Sequence, residues 1–333
     1  MPTAPLPTRE IPERVHPRPP LKEAEGKLIF EPRPQSTRPG VRVFPPPIAG
    51  TILDRKAQAA APDETLLHGF LPDHLALNPV APYMDEALRI RRTFDPLAKL
   101  GKDQFMATTI FPPDQRRVFS DTSFPWCTVG RVDVTGGWGS GTLIGPRHLL
   151  CASHMMTWNP DNTVNQVTFT PSYFGGNAPF GNSGIIHWYA YRKVVGPTLS
   201  VADTEEDYVV LVLSQRLGDL CGWMGTRGYS SSWNGLADWS HIGYPQDIAG
   251  GSEPTFQNAI SIDSTIGPAD DEYLAQKADV IPGQSGGPFF GWWSGEPWPR
   301  VVGVQSGQNP STNSAGGGND IPNLVNRART DFP

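Results

Sequence analysis

Between Phe124 and Val304 the chain consists of short runs rich in Val, Ile, Thr, Trp and Tyr, separated by clusters of Gly, Pro, Asn and Ser. WCTVGRVDV, GTLIG, HLLCAS, QVTFT, IIHWYAYRKVV, YVVLVL, WSHIGYP, YLAQKADV and RVVGVQSG are examples. β-Branched and aromatic side chains suit a pleated, half-buried surface. Strands at this spacing, with turn residues between them, indicate an antiparallel sandwich or barrel. No helix-period segment of useful length lies among these runs. Only IPNLVNRART, near the C-terminus, repeats its apolar positions at helical spacing. The chain is therefore expected to be all-β with one short terminal helix.

Within this pattern the run GQSGGP, residues 283–288, centres on Ser285. Flanking glycines let the backbone fold tightly, so the hydroxyl projects while neighbouring N–H groups converge on one point. Acyl transfer needs that arrangement: a nucleophile beside donors aimed where a carbonyl oxygen becomes an oxyanion. Such runs are also ordinary turn material, so the motif requires partners. In RHLLCASHMM an apolar strand ends in small residues followed by His154, which places an imidazole at a strand exit. In TEEDYVVLVL, Asp207 stands at the mouth of a second apolar strand, where a carboxylate can accept the imidazole N–H and fix its tautomer. Asp203, four residues farther from that strand, is the second candidate. Taken singly, such a histidine is more often a core or turn residue, and such an aspartate a solvated cap. Their order carries the argument. The α/β-hydrolase order ends on histidine, and no histidine follows Ser285. The subtilisin order needs an aspartate before His154, and Asp133 lacks the surrounding pattern. His154, Asp207, Ser285 is the order of the chymotrypsin fold.

The blocks GSGTLIGPRHLLCASH, EEDYVVLVL, HIGYPQD, ADVIPGQSGGPFF and VVGVQSG resemble those of chymotrypsin-like serine peptidases. The resemblance is to the bacterial and fungal branch that includes the glutamyl endopeptidases. TIFPPDQRRVFSDT resembles the start of the mature enzymes. The similarity runs from about residue 109 to the C-terminus. It implies two antiparallel six-stranded β-barrels and endopeptidase activity through an acyl-enzyme. Ser285 would be the nucleophile, His154 the general base and then acid, and Asp207 the orienting carboxylate. The N–H groups of Gly283 and Ser285 would form the oxyanion hole. Asp279, Val280, Gln305, Ser306 and Gly307 would contact an extended polypeptide substrate, with Ser306 beneath the triad. Three positions depart from related enzymes. Gln284 replaces the aspartate that pairs with a liberated N-terminus in animal members. Gln305 stands where the glutamyl endopeptidases usually carry a specificity histidine, so Glu preference loses its main charged support. Asp279 falls where trypsin-like enzymes carry an acidic pocket base, although a structural role suits an isolated carboxylate better.

Composition changes near residue 108. All ten tryptophans and all three cysteines lie beyond it, and thirteen prolines fall in the first fifty residues. So proline-rich a stretch is expected to be extended or disordered, giving an arm over 1–60. Residues 61–108 contain TLLHGFLPDHLAL and MDEALRIRRTFDPLAKL, with amphipathic spacing, and read as a propeptide-like or linker segment before a peptidase domain at 109–333. A propeptide here would cover the cleft until cleavage near Met106 to Phe111; a partner-binding arm is the other reading. Residues 109–333 hold 12 Lys+Arg against 20 Asp+Glu. That acidity argues against nucleic-acid binding, and no apolar run is long enough to span a membrane. Cys127, Cys151 and Cys221 are odd in number, so at least one is unpaired; a Cys127–Cys151 bridge is one arrangement. The chemistry needs no metal or organic cofactor. Nothing marks a dimer interface, and a monomer is expected. The resemblance implies secretion, while MPTAPLPTREIPERV lacks a secretory apolar stretch. A catalytically silent binding platform on the same fold is the alternative function.

Overall fold

The computed structural model describes residues 2–3, 46–55, 67–79, 110–196, 198–269, 272–308 and 312–333. The first barrel is formed by β1 (Val129–Val134), β2 (Gly137–Gly145), β3 (His148–Cys151), β4 (Thr168–Pro171), β5 (Ser183–Ala190) and β6 (Val209–Leu213). The pairing order β6-β3-β2-β1-β4-β5 closes on itself through β5–β6. The ladder closes around these six strands, while Tyr189–Ala190 of β5 keeps a free side on which a further strand can pair. β6 explains its uninterrupted apolar sequence. Val209, Leu211 and Leu213 join the barrel interior with Phe169 and Trp188, while Val210 and Val212 pack outward with Ile321, Leu324 and Val325 of the C-terminal helix Asp320–Asp331. Alternating side chains are buried on both faces, so no polar alternation remains.

The second barrel is an open half-barrel of seven strands rather than the expected closed six: β7 (Trp239–Gly243), β8 (Thr255–Ile260), β9 (Ile262–Ile266), β10 (Glu272–Gln276), β11 (Pro288–Trp293), β12 (Arg300–Gln308) and β13 (Asn313–Gly317). They form a curled sheet in the order β9-β10-β13-β12-β11-β7-β8. Its end strands, β8 and β9, are consecutive in sequence and separated only by Ser261. One long bent strand thus pairs with β7 through its first half and with β10 through its second. Trp239, Leu274, Val280, Phe289 and Val302 fill this half, and a third cluster including Tyr208, Ile242, Phe256, Phe290 and Val304 lies between it and the terminal helix.

Three short N-terminal stretches are docked on these barrels, the first being Pro2–Thr3, which pairs antiparallel with Trp292–Trp293 of β11. Ile48–Ala49 pairs with Thr163–Val164, and Thr51–Ile52 adds parallel to β5. Residues 46–55, expected as part of an irregular arm, are thus strand-forming. Gly50 makes this approach feasible, since a Cβ there would lie 2.1 Å from the Trp188 ring. Trp188 donates its indole N–H to the Ile48 carbonyl at 3.1 Å, and Arg55 bonds Glu206 and Asp320. Residues 67–79 bridge to Thr226, Trp223 and Phe124. Apart from residues 2–3, 46–55 and 67–79, the expected arm and propeptide, and with them most of the expected cleavage region, lie outside the described residues. Cys127, Cys151 and Cys221 are all free thiols buried in or beside the first barrel, with no 127–151 bridge. Among the described residues no helix is long and apolar enough to cross a membrane.

Gly50→Val is expected to displace this strand from Trp188 and destabilise the domain by about 1–3 kcal/mol, as overpacking does. Urea denaturation monitored by tryptophan fluorescence checks this; an unchanged midpoint would contradict the docking.

Candidate active site

The antiparallel register sets two of the three key residues side by side. Val209 of β6 pairs with Cys151 of β3. Continued past the strand ends, that register brings Asp207 opposite Ser153, one residue from His154. His154 sits in the single 3₁₀ turn Ser153–Met155, whose Ser153 hydroxyl donates to the Arg192 carbonyl and accepts the Val194 N–H. Asp207 follows the helical turn Val201–Glu205. Asp203 begins that turn: it forms a capping box with Ser200 and an ion pair with Arg192, so it is not the carboxylate of the site. The second barrel supplies the rest. Pro288 of β11 pairs with Val304 of β12, and Gly287 and Gly286 exchange backbone hydrogen bonds with Gln305. Ser285 and Ser306 are thereby drawn to the same end of the two strands.

The resulting geometry is tight. Asp207 has no exposed surface, and its Oδ1 accepts the His154 backbone N–H at 2.7 Å. Its Oδ2 faces His154 Nδ1 at 2.5 Å and accepts the Ser306 hydroxyl at 2.5 Å. A carboxylate facing Nδ1 assigns the ring proton to that nitrogen and leaves the Nε2 lone pair toward Ser285 Oγ, 3.1 Å away. Burial pushes the His154 pKa down, but the charge and hydrogen bond of Asp207 outweigh it and hold it above the ordinary 6.5.

The turn before Ser285 is held by groups that sequence alone does not reveal. Gln246 donates its N–H to the Pro282 carbonyl at 2.8 Å. In a planar trans peptide the next N–H points the opposite way, so that of Gly283 is aimed away from Gln246. The Gln284 carbonyl accepts from Gly287 N–H at 3.0 Å, which orients the Ser285 N–H in the same manner. Gly283 has φ +99°, and a Cβ there would meet the Tyr244 carbonyl at 2.4 Å, so only glycine fits. Ser140 in β2 donates its hydroxyl to the Gly283 carbonyl and its N–H to the Ser285 carbonyl. The available signal was the small-residue run GWGSG, which lets β2 approach this turn closely.

The remaining expected residues separate into two groups. Gln305, Ser306 and Gly307 lie on β12 next to the triad. Asp279 is buried, with its two oxygens accepting the N–H groups of Phe111 and Gln115 at 2.7 and 2.8 Å; it anchors the chain entering the domain. Val280 packs within the second-barrel core. Gln305 Nε2 donates to the Gly307 carbonyl at 3.0 Å, and its Oε1 accepts Gln276 Nε2 at 2.8 Å. No cluster of three or more His, Cys, Asp or Glu side chains able to hold a metal occurs among the described residues.

A glutamyl endopeptidase of Bacillus licheniformis is 26% identical over 179 residues, 53% of this chain and 52% of that protein. The match thus spans about half the length of that curated relative. A solved structure of a Glu endopeptidase in complex with MPD superposes with a TM-score of 0.54 at 17% identity, covering 67% of this chain and 100% of that one. The chain has the chymotrypsin-like fold, and about half of it is similar in sequence to a glutamyl endopeptidase. No family model matches the chain. Gln305, set by the sequence resemblance at an expected histidine position, is a buried amide hydrogen-bonded to a second amide and a backbone carbonyl.

Because its pKa is raised in the folded state, the His154–Asp207 pairing contributes stability below pH 6.5 that is lost as pH rises through the folded value. An NMR titration of the His154 ring is expected to give a midpoint above 6.5. In Asp207→Asn burial remains without the compensating charge, so the midpoint should fall below 6.5. A midpoint unchanged by that substitution would contradict the assigned pairing.

Proposed function

We propose that this protein is a serine endopeptidase acting through an acyl-enzyme on Ser285. The observation that carries the reading is the continuous hydrogen-bonded line from Asp207 through His154 to Ser285, beside the oriented N–H groups of Gly283 and Ser285. An extended polypeptide would lie along β12 at Ser306 and Gly307, pairing by backbone hydrogen bonds as an added strand. Ser285 Oγ attacks the scissile carbonyl carbon while its proton moves to His154 Nε2. The carbonyl oxygen becomes an oxyanion within reach of the two N–H donors. His154 then delivers that proton to the departing amine, the C–N bond breaks, and an ester to Ser285 remains. Water, deprotonated by His154, attacks the ester, releases the acid and returns the proton to Ser285. Asp207 keeps the imidazole in its Nδ1–H tautomer and stabilises the imidazolium that forms in each half. No metal or organic cofactor is needed for these steps.

The reading includes a pro-region N-terminal to Thr109. Support comes from the maturation-like TIFPPDQRR that follows it. Peptide hydrolysis by a chain beginning at Thr109 should then exceed that of the full chain, and equal rates would remove the pro-region from this account.

Ser285→Ala should lower kcat/KM for a peptide substrate by at least about 10³-fold, since the triad acts as a unit. The wild-type kcat/KM should fall on the acid side with a midpoint above 6.5, where His154 gains a proton and ceases to be a base. Hydrolysis that survives the alanine substitution, or an acid midpoint below 6.5, would overturn the assignment.

A further inference from the structure

The turn that presents Ser285 is gripped by a segment that takes no part in the triad. Residues 110–118 enter the domain and end in the short strand Arg117–Val118, which pairs with β8. Asp279 fixes the first part of this segment through the N–H groups of Phe111 and Gln115. Arg116 fixes the second part. Its guanidinium is 3% exposed, with Nη1 and Nη2 donating to Oδ1 and Oδ2 of Asp247 at 2.9 and 2.7 Å. Nε and Nη2 also donate to the Asp114 carboxylate at 3.1 and 2.9 Å. A planar fork of five donors suits such a double clamp, and an ammonium does not.

Two routes lead from Arg116 to the backbone beside Ser285. Arg116 Nη1 also reaches Gln284 Oε1 at 3.4 Å. That oxygen accepts the Ile281 N–H at 3.0 Å, while the Gln284 N–H donates to the Ile281 carbonyl at 3.1 Å. Side chain and backbone of Gln284 therefore close the turn together. The second route runs through Asp247, whose neighbour Gln246 binds the Pro282 carbonyl and so orients the Gly283 N–H. Asp247 and Gln284 are both fully enclosed, at 0% and 1% exposure, so neither has water as an alternative partner for its side chain.

We propose that Arg116 is a positioning residue for the oxyanion-binding turn: by fixing the Gln284 side chain and Asp247, it holds Ile281–Ser285 with the Gly283 and Ser285 N–H groups facing the reacting carbonyl. The inference deepens the serine endopeptidase reading and rests on it. Arg116 touches no substrate atom. Its removal should therefore weaken binding of the tetrahedral, negatively charged state and spare ground-state binding of the peptide.

The test uses the full chain, and the chain beginning at Thr109 where only that form hydrolyses peptide, each with the double variant Arg116→Gln/Asp247→Asn, which replaces charged partners by neutral hydrogen-bonding groups of similar shape. With native near-ultraviolet circular dichroism retained, kcat for a peptide substrate should drop by about 10²-fold or more, as when one oxyanion donor is lost, with KM changed less than about threefold. Affinity for a peptide boronate, whose tetrahedral adduct places an oxygen in the hole, should fall in parallel with kcat. Arg116→Lys keeps the charge without the fork and should retain part of the activity, still at least about tenfold below the parent. A folded double variant with parental kcat, or an equal fall in affinity for boronate and for an uncleaved peptide, overturns the proposal. If the double variant does not fold, Arg116→Lys decides: parental kcat overturns it, a tenfold loss at constant KM supports it. Absence of hydrolysis by the parent protein, both as the full chain and as the chain beginning at Thr109, would instead strike the endopeptidase reading, so the two failures are distinguishable.

Discussion

Asp207 carries a carboxylate with no exposed surface, and its two oxygens accept three hydrogen bonds from opposite halves of the molecule. Two come from His154 on the first barrel and one from the Ser306 hydroxyl on the second. A buried carboxylate is tolerated only when fully partnered, and charge-assisted hydrogen bonds are stronger than neutral ones. The same contacts that make the charge affordable therefore lock the two barrels at one relative position. Ser285 stands on the second barrel and His154 on the first, so the 3.1 Å between them depends on that lock. Structure and chemistry share one constraint here.

A second constraint acts on the other side of the nucleophile. Four backbone carbonyls around Ser285, those of Pro282, Gly283, Gln284 and Ser285, each accept a hydrogen bond from Gln246, Ser140 or Gly287. Fixing a carbonyl fixes the N–H of the following peptide, so donors can be aimed without touching them directly. Such preorganisation removes the reorganisation that water would need when charge develops. The close approach of β2 to this turn is possible because Gly139 precedes Ser140; a Cβ at Gly139 would lie 2.8 Å from the Ser285 carbonyl.

The parts legible from sequence were those encoded within single blocks. Each of the three residues borders its own apolar strand, so HLLCASH, EEDYVVLVL and GQSGGP marked which side chains the fold brings together, and their order pointed to that fold. The continuous apolar run at Val209–Leu213 was equally readable, although the reason became clear only with the terminal helix packed on its outer face. What escaped was encoded at a distance. Arg116 and Asp247 are 131 residues apart and resemble ordinary surface charges when read alone. Spacing from Ser285 placed Asp279 among the substrate-contacting candidates while a structural role suited it better, but the partners of that role, Phe111 and Gln115, lie more than 160 residues away and could not be named from sequence. Proline content likewise hid the strand at residues 46–55, because the deciding contact is Gly50 against the distant Trp188 ring.

The central claim is that Ser285 is a hydroxyl activated by its neighbours, and the most direct measurement is the site of covalent capture by a fluorophosphonate. The wild-type protein should gain one phosphonyl group, with fluoride leaving, and peptide mapping should place it on Ser285 within GQSGGP. Heat-unfolded protein should gain none, since an isolated serine hydroxyl is unreactive. An adduct on any other residue, or no adduct on folded wild-type protein either as the full chain or as the chain beginning at Thr109, would contradict the account.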